Sequence, residues 1–298
     1  MTLNILYTVG AIALGTGVWL WMLRLYDRVE PESVWDLAQV GLIGGGVSLA
    51  VAVFLNELGR QQIGITGDIL GGPAAVKPLQ LLLFSMFVGF NEEIVKAVST
   101  VQVTRVLGDL NEPIDAMIYA MTVGLGFAAI ENVLYVARFG TDVLVMRLMW
   151  PVLAHMAYSA VWGYGLAKAR FVRPETSTAY VMAPTVFLAS LVHAVANFLL
   201  FLQGTQTALI SLGFLAILSY FAHDHLNELE AESPFLLPGE CPVCRHRNNP
   251  RATTCSNCGE SLQESEIFRT CPCGLTRIPT RMNQCAVCGV DLSAEEAV

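Results

Sequence analysis

The chain has 298 residues, 54% of them hydrophobic and only 14% charged, with a mean hydropathy of +0.54 and a net charge of -8. Soluble domains carry about 25% charged residues, so the composition excludes an ordinary soluble globular domain and points to a membrane protein. The negative charge is uneven: Asp224, Glu228, Glu230, Glu232 and Glu240 fall in a stretch without Lys or Arg, which reads as an exposed acidic linker and excludes a basic nucleic-acid surface there.

A span needs about 20 apolar residues to cross a core of about 30 Å. Seven segments qualify, approximately 3–23, 35–55, 79–107, 114–137, 145–167, 180–202 and 207–222, the last being the shortest. The first is too long for a cleaved signal peptide and no basic region precedes it. The connections are short, and Pro113 suits the first turn of the fourth helix. The longest connection, 57–77, contains Gly71-Gly72-Pro73 and reads as a surface loop. Lys and Arg at the span ends set orientation. With the N-terminus outside, inner loops hold Arg24, Arg28, Arg105, Lys168, Arg170 and Arg173, against Arg60, Lys77, Arg138 and Arg147 outside. That bias places the C-terminal tail in the cytosol.

The third span carries Asn91-Glu92-Glu93-Ile94-Val95-Lys96 at its middle. A charge at the bilayer centre costs about 2.5–3.5 kcal/mol on insertion scales, so these groups need a use. Glu131 and Asn132 follow in the fourth span, His155 in the fifth, and His193 and Asn197 in the sixth. Glu92 and Lys96, Phe127 and Glu131, and His193 and Asn197 are each four apart and share a helix face. Such stripes should face one another inside a bundle. At about 1.5 Å per residue, Glu92, His155 and His193 share a layer, with Glu131 about 8 Å further out. A structural ion pair for Lys96 and interhelical bonding for the Asn and His side chains are the bland alternatives for single residues. Arg147 near a span end can simply snorkel.

Three chemistries suit the set. Paired carboxylates can activate water, with His orienting an oxyanion. Glu and His can hold a divalent metal that activates the water. Proton or ion transport uses the same residue types, although no inverted repeat is evident. A non-catalytic receptor or scaffold with a polar core is a further alternative.

At these residues the chain resembles a known family. Glu92-Glu93-Ile-Val-Lys96 matches the EExxK motif of the PrsW family of intramembrane proteases, Phe127 to Glu131 its FxxxE motif, and His193 to Asn197 its HxxxN pattern. His155 stands where the family has its other intramembrane histidine, and Asp27-Arg-Val-Glu-Pro31-Glu32 is similar to its D-x-x-x-P-E region. The related CAAX-protease and bacteriocin-processing clan usually ends the second motif in His, where this chain has Glu131. The resemblance implies a glutamate-dependent endopeptidase acting on membrane-anchored proteins, anti-sigma factors among them. It implies Glu92 or Glu93 as the water-activating carboxylate, Glu131 as the second acid/base group, and His155 and His193 as oxyanion or water-orienting residues. Lys96, Phe127, Asn132 and Asn197 are then supporting residues, and no catalytic metal is expected.

All eight Cys lie at or beyond Cys241. Cys241-Pro-Val-Cys244 and Cys255-Ser-Asn-Cys258 have the spacing of a four-Cys zinc ribbon. Cys271-Pro-Cys273 and Cys285-Ala-Val-Cys288 form a second set, one residue short in its first half. Two structural zinc ions are expected, supplying much of the folding energy of ribbons this small. Closed four-Cys sites lack the open position that catalysis needs. The tail's Arg residues have no aromatic platform beside them, which favours a cytosolic protein or a substrate region over nucleic acid as partner. The expected architecture is an all-α polytopic bundle of about seven transmembrane helices over residues 1–223. An acidic linker at 224–239 and tandem zinc ribbons at 240–262 and 267–292 follow. The expected location is the cytoplasmic membrane of a prokaryote.

Overall fold

The computed structural model describes residues 2–107, 110–233, 235, 239–249, 252–262, 268–272, 278–279, 285 and 290–292. Seven long α-helices dominate the described residues: α1 (Thr2–Arg24), α2 (Val34–Gln62), α3 (Pro78–Thr104), α4 (Pro113–Phe139), α5 (Leu144–Ala167), α6 (Thr178–Phe201) and α7 (Thr205–Ala231). Six are long and apolar enough to cross a membrane by length and composition. The seventh, α3, is equally long but carries Glu92, Glu93 and Lys96. The chain is thus an all-α multi-pass bundle, as its composition requires.

Local chemistry sets the helix ends. Ser33 caps α2, its hydroxyl accepting from the backbone N–H of Trp35 at 3.2 Å and Asp36 at 3.4 Å. Pro78 and Pro113 open α3 and α4, where a missing N–H costs nothing. Gly140, with φ 85°, ends α4. The 57–77 connection is partly helical: α2 runs on to Gln62, and a short 3-10 segment, Ile69–Ala74, follows.

Helix α4 is the central post. Every residue from Pro113 to Ala129 is buried, which is what a helix apolar on all sides does. Helices α2 and α5 flank it, α3 lies between α2 and α6, and α1 is peripheral, tied in by Trp19 Nε1 donating to Leu148 O at 3.2 Å. Glycines allow close approaches of backbone to backbone. A Cβ on Gly126 would lie 1.9 Å from the carbonyl oxygen of Gly41, and one on Gly89 would lie 2.7 Å from that of Ser190. The glycine of the Gly-Phe-Ala-Ala-Ile-Glu stretch is therefore a packing requirement between α4 and α2.

Helix α7 extends through Ala231, so the acidic stretch from Asp224 begins as helix and not as linker. Leu226 and Leu229 bury one face of it, while Glu228 meets Lys168 at 3.3 Å and Tyr164 at 3.1 Å. Beyond it, isolated bridges join Glu240 to Arg247 and Thr254 to Ser261, and a two-stranded antiparallel ribbon pairs β1 (Phe268–Arg269) with β2 (Ile278–Pro279).

Candidate active site

Glu93 and Lys96 are fully buried, Glu92 is 5% exposed, and all three point into the bundle. Glu93 has both oxygens occupied. Its Oε1 accepts from Lys96 Nζ at 2.5 Å and from His193 Nδ1 at 2.7 Å, and its Oε2 accepts from Trp162 Nε1 at 3.0 Å. Glu92 is held differently. Its Oε1 accepts from Asn56 Nδ2 at 3.0 Å, and its Oε2 faces His193 Nε2 at 3.9 Å. Asn56 is itself fixed by Asn91, whose amide donates to Asn56 Oδ1 at 2.8 Å and to Ala52 O at 3.1 Å.

The contacts assign the histidine tautomers. An ammonium has no lone pair, so Lys96 Nζ, 3.1 Å from His155 Nδ1, must donate to it. The proton of neutral His155 then sits on Nε2, which lies 3.6 Å from Glu131 Oε2. A carboxylate accepts only, so His193 Nδ1 donates to Glu93, and its Nε2 faces Glu92. Tyr158 stacks on His193 with ring centroids 4.5 Å apart, and Phe127 lies 5.0 Å from the His155 ring and 4.9 Å beneath Lys96 Nζ.

Glu131 reaches this layer although its Cα is nearer the helix end. Its Oε2 also accepts from Arg147 at 2.5 Å. Arg147 does not snorkel: its Nε donates to Asn132 Oδ1 at 2.8 Å and its guanidinium covers the Tyr135 ring at 3.4 Å. Asn132 returns a bond from Nδ2 to Arg147 O at 3.3 Å. The structure therefore brings Glu92, Glu93, Lys96, Phe127, Glu131, His155 and His193 together, with Asn132 behind Glu131. Asn197, half-buried one turn beyond His193, is not among the groups hydrogen-bonded to them among the described residues.

Asn56, Trp162 and Arg147 join the site without having been marked for it by the sequence. Trp162 lies on the His155 face two turns along α5, so its position was readable, but an indole in an apolar run looks like core. Asn56 falls just past the apolar run of the second span and looked like loop.

Glu92, His155 and His193 each offer a donor atom, all within 4.8 Å of one another, which fits a metal-binding group. His193 has the arrangement of a metal-ligating histidine, one nitrogen donating to a carboxylate and the other free. His155 would have to give up the Lys96 bond to its Nδ1 to do the same. In the tail, Cys241, Cys244, Cys255 and Cys258 also lie within 4.8 Å. Cys241 Sγ is 3.5 Å from Cys258 Sγ, and Cys244 Sγ is 3.6 Å from Cys255 Sγ. Tetrahedral zinc thiolates have sulfurs about 3.8 Å apart, so this quartet could hold zinc. Cys271 and Cys285 are buried together with Leu292, whereas Cys273 and Cys288 lie outside the described residues.

A family model described as PrsW family intramembrane metalloprotease matches residues 32–223. Among curated relatives, Protease PrsW of Geobacillus kaustophilus is 32% identical over 92 residues, covering 31% of this chain and 40% of its own length. Protease PrsW of Halalkalibacterium halodurans is 26% identical over 183 residues (56% and 84%), and that of Clostridioides difficile 24% identical over 212 (69% and 84%). The chain thus spans less than half the length of the Geobacillus relative and 60% of a further one from Shouchella clausii. No solved structure matches the chain. Because the family model covers well over half of its residues, from just before the second helix into α7 and across the whole intramembrane polar set, the chain belongs to the PrsW family.

Proposed function

We propose that the protein is an intramembrane endopeptidase in which Glu92 activates the attacking water. The observation that carries this reading is the contrast between the paired carboxylates. Glu93 is saturated by Lys96, His193 and Trp162, whereas Glu92 keeps one oxygen open toward His193 and the layer holding His155 and Glu131. Glu92 takes a proton from water as its oxygen bonds to the scissile carbonyl carbon. His155 donates from Nε2 to the oxyanion that develops, a contribution that is strong in a dry site. As the C–N bond breaks, Glu92 returns the proton to the leaving amine, and a carboxylic acid product remains. Glu93 and Glu131 serve as fixed counter-charges that hold His193 and His155 in their tautomers. This division gives Glu131 a positioning part beside the acid/base part that the family resemblance implies.

The family description and the Glu92–His155–His193 donor set favour a second reading, in which those three residues hold a metal ion. Such an ion would lower the pKa of a bound water and polarise the scissile carbonyl. The Lys96 bond to His155 Nδ1 weighs toward the metal-free form.

The substrate is a membrane-anchored protein, with anti-sigma factors the narrower class implied by the family resemblance. An apolar groove of about 650 Å³ lies between α3 and α6, lined by Phe90, Ile94, Val98, Met182, Val186 and Phe187, with none of the site's carboxylates or histidines in its wall. Two zinc ribbons in the tail, at 240–262 and 267–292, bind a cytosolic protein or a substrate region, and the N-terminus lies outside.

Cleavage of a single-pass membrane substrate by Glu92→Gln, Glu93→Gln and Glu131→Gln chains tests the carboxylate mechanism. Glu92→Gln is expected to lose about 10²- to 10⁴-fold in rate; full activity in that variant would sink the role of Glu92, whereas no cleavage even by the unsubstituted chain would leave the receptor and transporter readings standing. Metal analysis decides between the two forms: a metal lost on His193→Ala while the tail keeps its zinc would establish the second.

A further inference from the structure

A second buried acidic group lies where the α1–α2 connection, the start of α4 and the end of α7 meet. Asp27, Glu112 and Asp115 are 1%, 0% and 0% exposed, and each offers an oxygen within 4.8 Å of the others. Glu230, 6% exposed at the end of α7, adds a fourth carboxylate beside Asp27 and Glu112. Asp115 lies in the first turn of α4, about 24 Å along the helix axis from Glu131 at ~1.5 Å per residue.

Part of each carboxylate has an ordinary explanation. Asp27 accepts from the backbone N–H of Glu30 at 3.3 Å and of Glu32 at 2.8 Å. Asp115 Oδ2 caps the helix, accepting from the N–H of Asn111 at 3.0 Å and of Glu112 at 2.8 Å. Ser233 donates to Glu112 Oε2, and the Arg28 N–H donates to Glu230 Oε1 at 3.0 Å. Helix capping therefore accounts for Asp115 Oδ2, but not for what is left over. Glu112 Oε1, Asp115 Oδ1 and Glu230 Oε2 are buried and meet no donor among the described residues.

An unsatisfied buried acceptor costs about 1–3 kcal/mol, and more when charged. The surroundings make this worse, since Glu30 and Glu32 add to the negative field. The Arg28 side chain, 3.5 Å from Glu230, is 63% exposed and cannot neutralise the interior. Burial pushes the carboxyl of Asp27 up to about 6 and that of Glu112 up to about 9, with neighbouring carboxylates adding to both.

We propose that Asp27, Glu112 and Asp115, with Glu230 beside them, form a binding site for a hard divalent cation, separate from the active site. Carboxylate oxygens without nitrogen or sulfur donors suit Mg²⁺, Ca²⁺ or Mn²⁺ and not zinc. Two of the orphaned oxygens, Glu112 Oε1 and Asp115 Oδ1, belong to members of the three-carboxylate group, and the third, Glu230 Oε2, to the carboxylate beside it. A cation there ties the first loop to α4 and α7, and through Ser233 to the segment leading into the tail.

Mn²⁺ is the probe, followed by the loss of its free paramagnetic resonance signal on titration into the full-length chain in micelles. A His193→Ala background removes a ligand from the other oxygen- and nitrogen-bearing group, and hard Mn²⁺ does not compete for the thiolate sites. Saturable uptake of one ion is expected, with affinity at least about tenfold weaker when Glu112→Gln and Asp115→Asn are added. Competition by Mg²⁺ and Ca²⁺ ranks the natural ion. No uptake, or uptake that the two substitutions leave unchanged, overturns the proposal. If the double variant does not fold, Asp115→Asn alone is compared by thermal unfolding. Mn²⁺ should raise the midpoint of the His193→Ala chain and not that of the variant. A cluster neutralised by shared protons shows no rise in either, which also overturns it.

Discussion

Arg147 shows how much one side chain can organise. It bonds Glu131 and Asn132 together, and Glu131 in turn faces His155. Arg147→Met should therefore lower kcat by about ten- to a hundredfold, about 1.4–2.7 kcal/mol, with KM little changed, and Arg147→Lys should restore part of it. A parallel loss in both constants would mark a purely structural part. Lys96 carries a different burden, since it faces Glu93, His155 and the Phe127 ring with no access to water. Lys96→Met leaves Glu93 charged and buried with one partner fewer, a change that costs about 3–5 kcal/mol. Thermal unfolding in micelles should show that loss, and adding Glu93→Gln should recover part of it; an unaltered midpoint in the single variant would exclude the pairing. At this scale the sequence was legible wherever charge stood out against lipid, as at Glu92, Glu93, Lys96, Glu131, His155 and His193. It was silent where the partner was ordinary for its surroundings, as with the Trp162 indole. It was misleading for Arg147, whose place at a span end suggested the interface.

Among the elements, α4 sets the geometry because α2 and α5 must both come close to it. Gly126 faces the backbone of Gly41 so tightly that any Cβ overlaps it. Gly126→Ala should cost about 1–3 kcal/mol through overpacking, read as a lowered unfolding midpoint, and it should impair cleavage by moving Glu131 on the same helix. An unchanged midpoint would mean that α2 can shift freely. The helices themselves were readable from apolar runs and from Pro113, and their ends departed where polar residues continue a helix. α2 continues through Asn56 to Gln62 because its polar residues find partners, Asn56 on Glu92 and Asn91, Arg60 on Glu57 at 2.7 Å. α7 continues past Ala222 for the same reason, with Lys168 beside Glu228. The Asp27–Glu112–Asp115 group was invisible in the sequence, because Asp27 and Glu112 are far apart in the chain and each sits in what reads as a connecting turn.

For the whole molecule, the zinc content and the orientation are the properties to measure. Metal analysis should find about two zinc ions per full-length chain, falling to about one with Cys241→Ser and Cys244→Ser; a count near zero would refute both ribbons. The membrane helices contain no Cys and all eight lie in the tail, so once the tail cysteines are replaced by Ser a single introduced cysteine reports orientation cleanly. An impermeant maleimide should label Asp142→Cys on intact cells and Glu175→Cys only after lysis, and the opposite pattern would invert the bundle. The pairing inside α3 also bears on how the protein is made. Lys96 finds His155 59 residues later in the chain, and Glu93 finds Trp162 after 69 and His193 after 100. At about 5–20 residues per second, synthesis of the last partner trails α3 by about 5–20 s. During that interval α3 is a charged segment without its covering helices, and lipid alone does not accept it. Helix α3 must therefore wait at the insertion machinery, or lean on the two helices flanking it in sequence, until α5 and α6 emerge. Insertion of this chain is in that sense a cooperative act of the bundle and not a series of independent crossings.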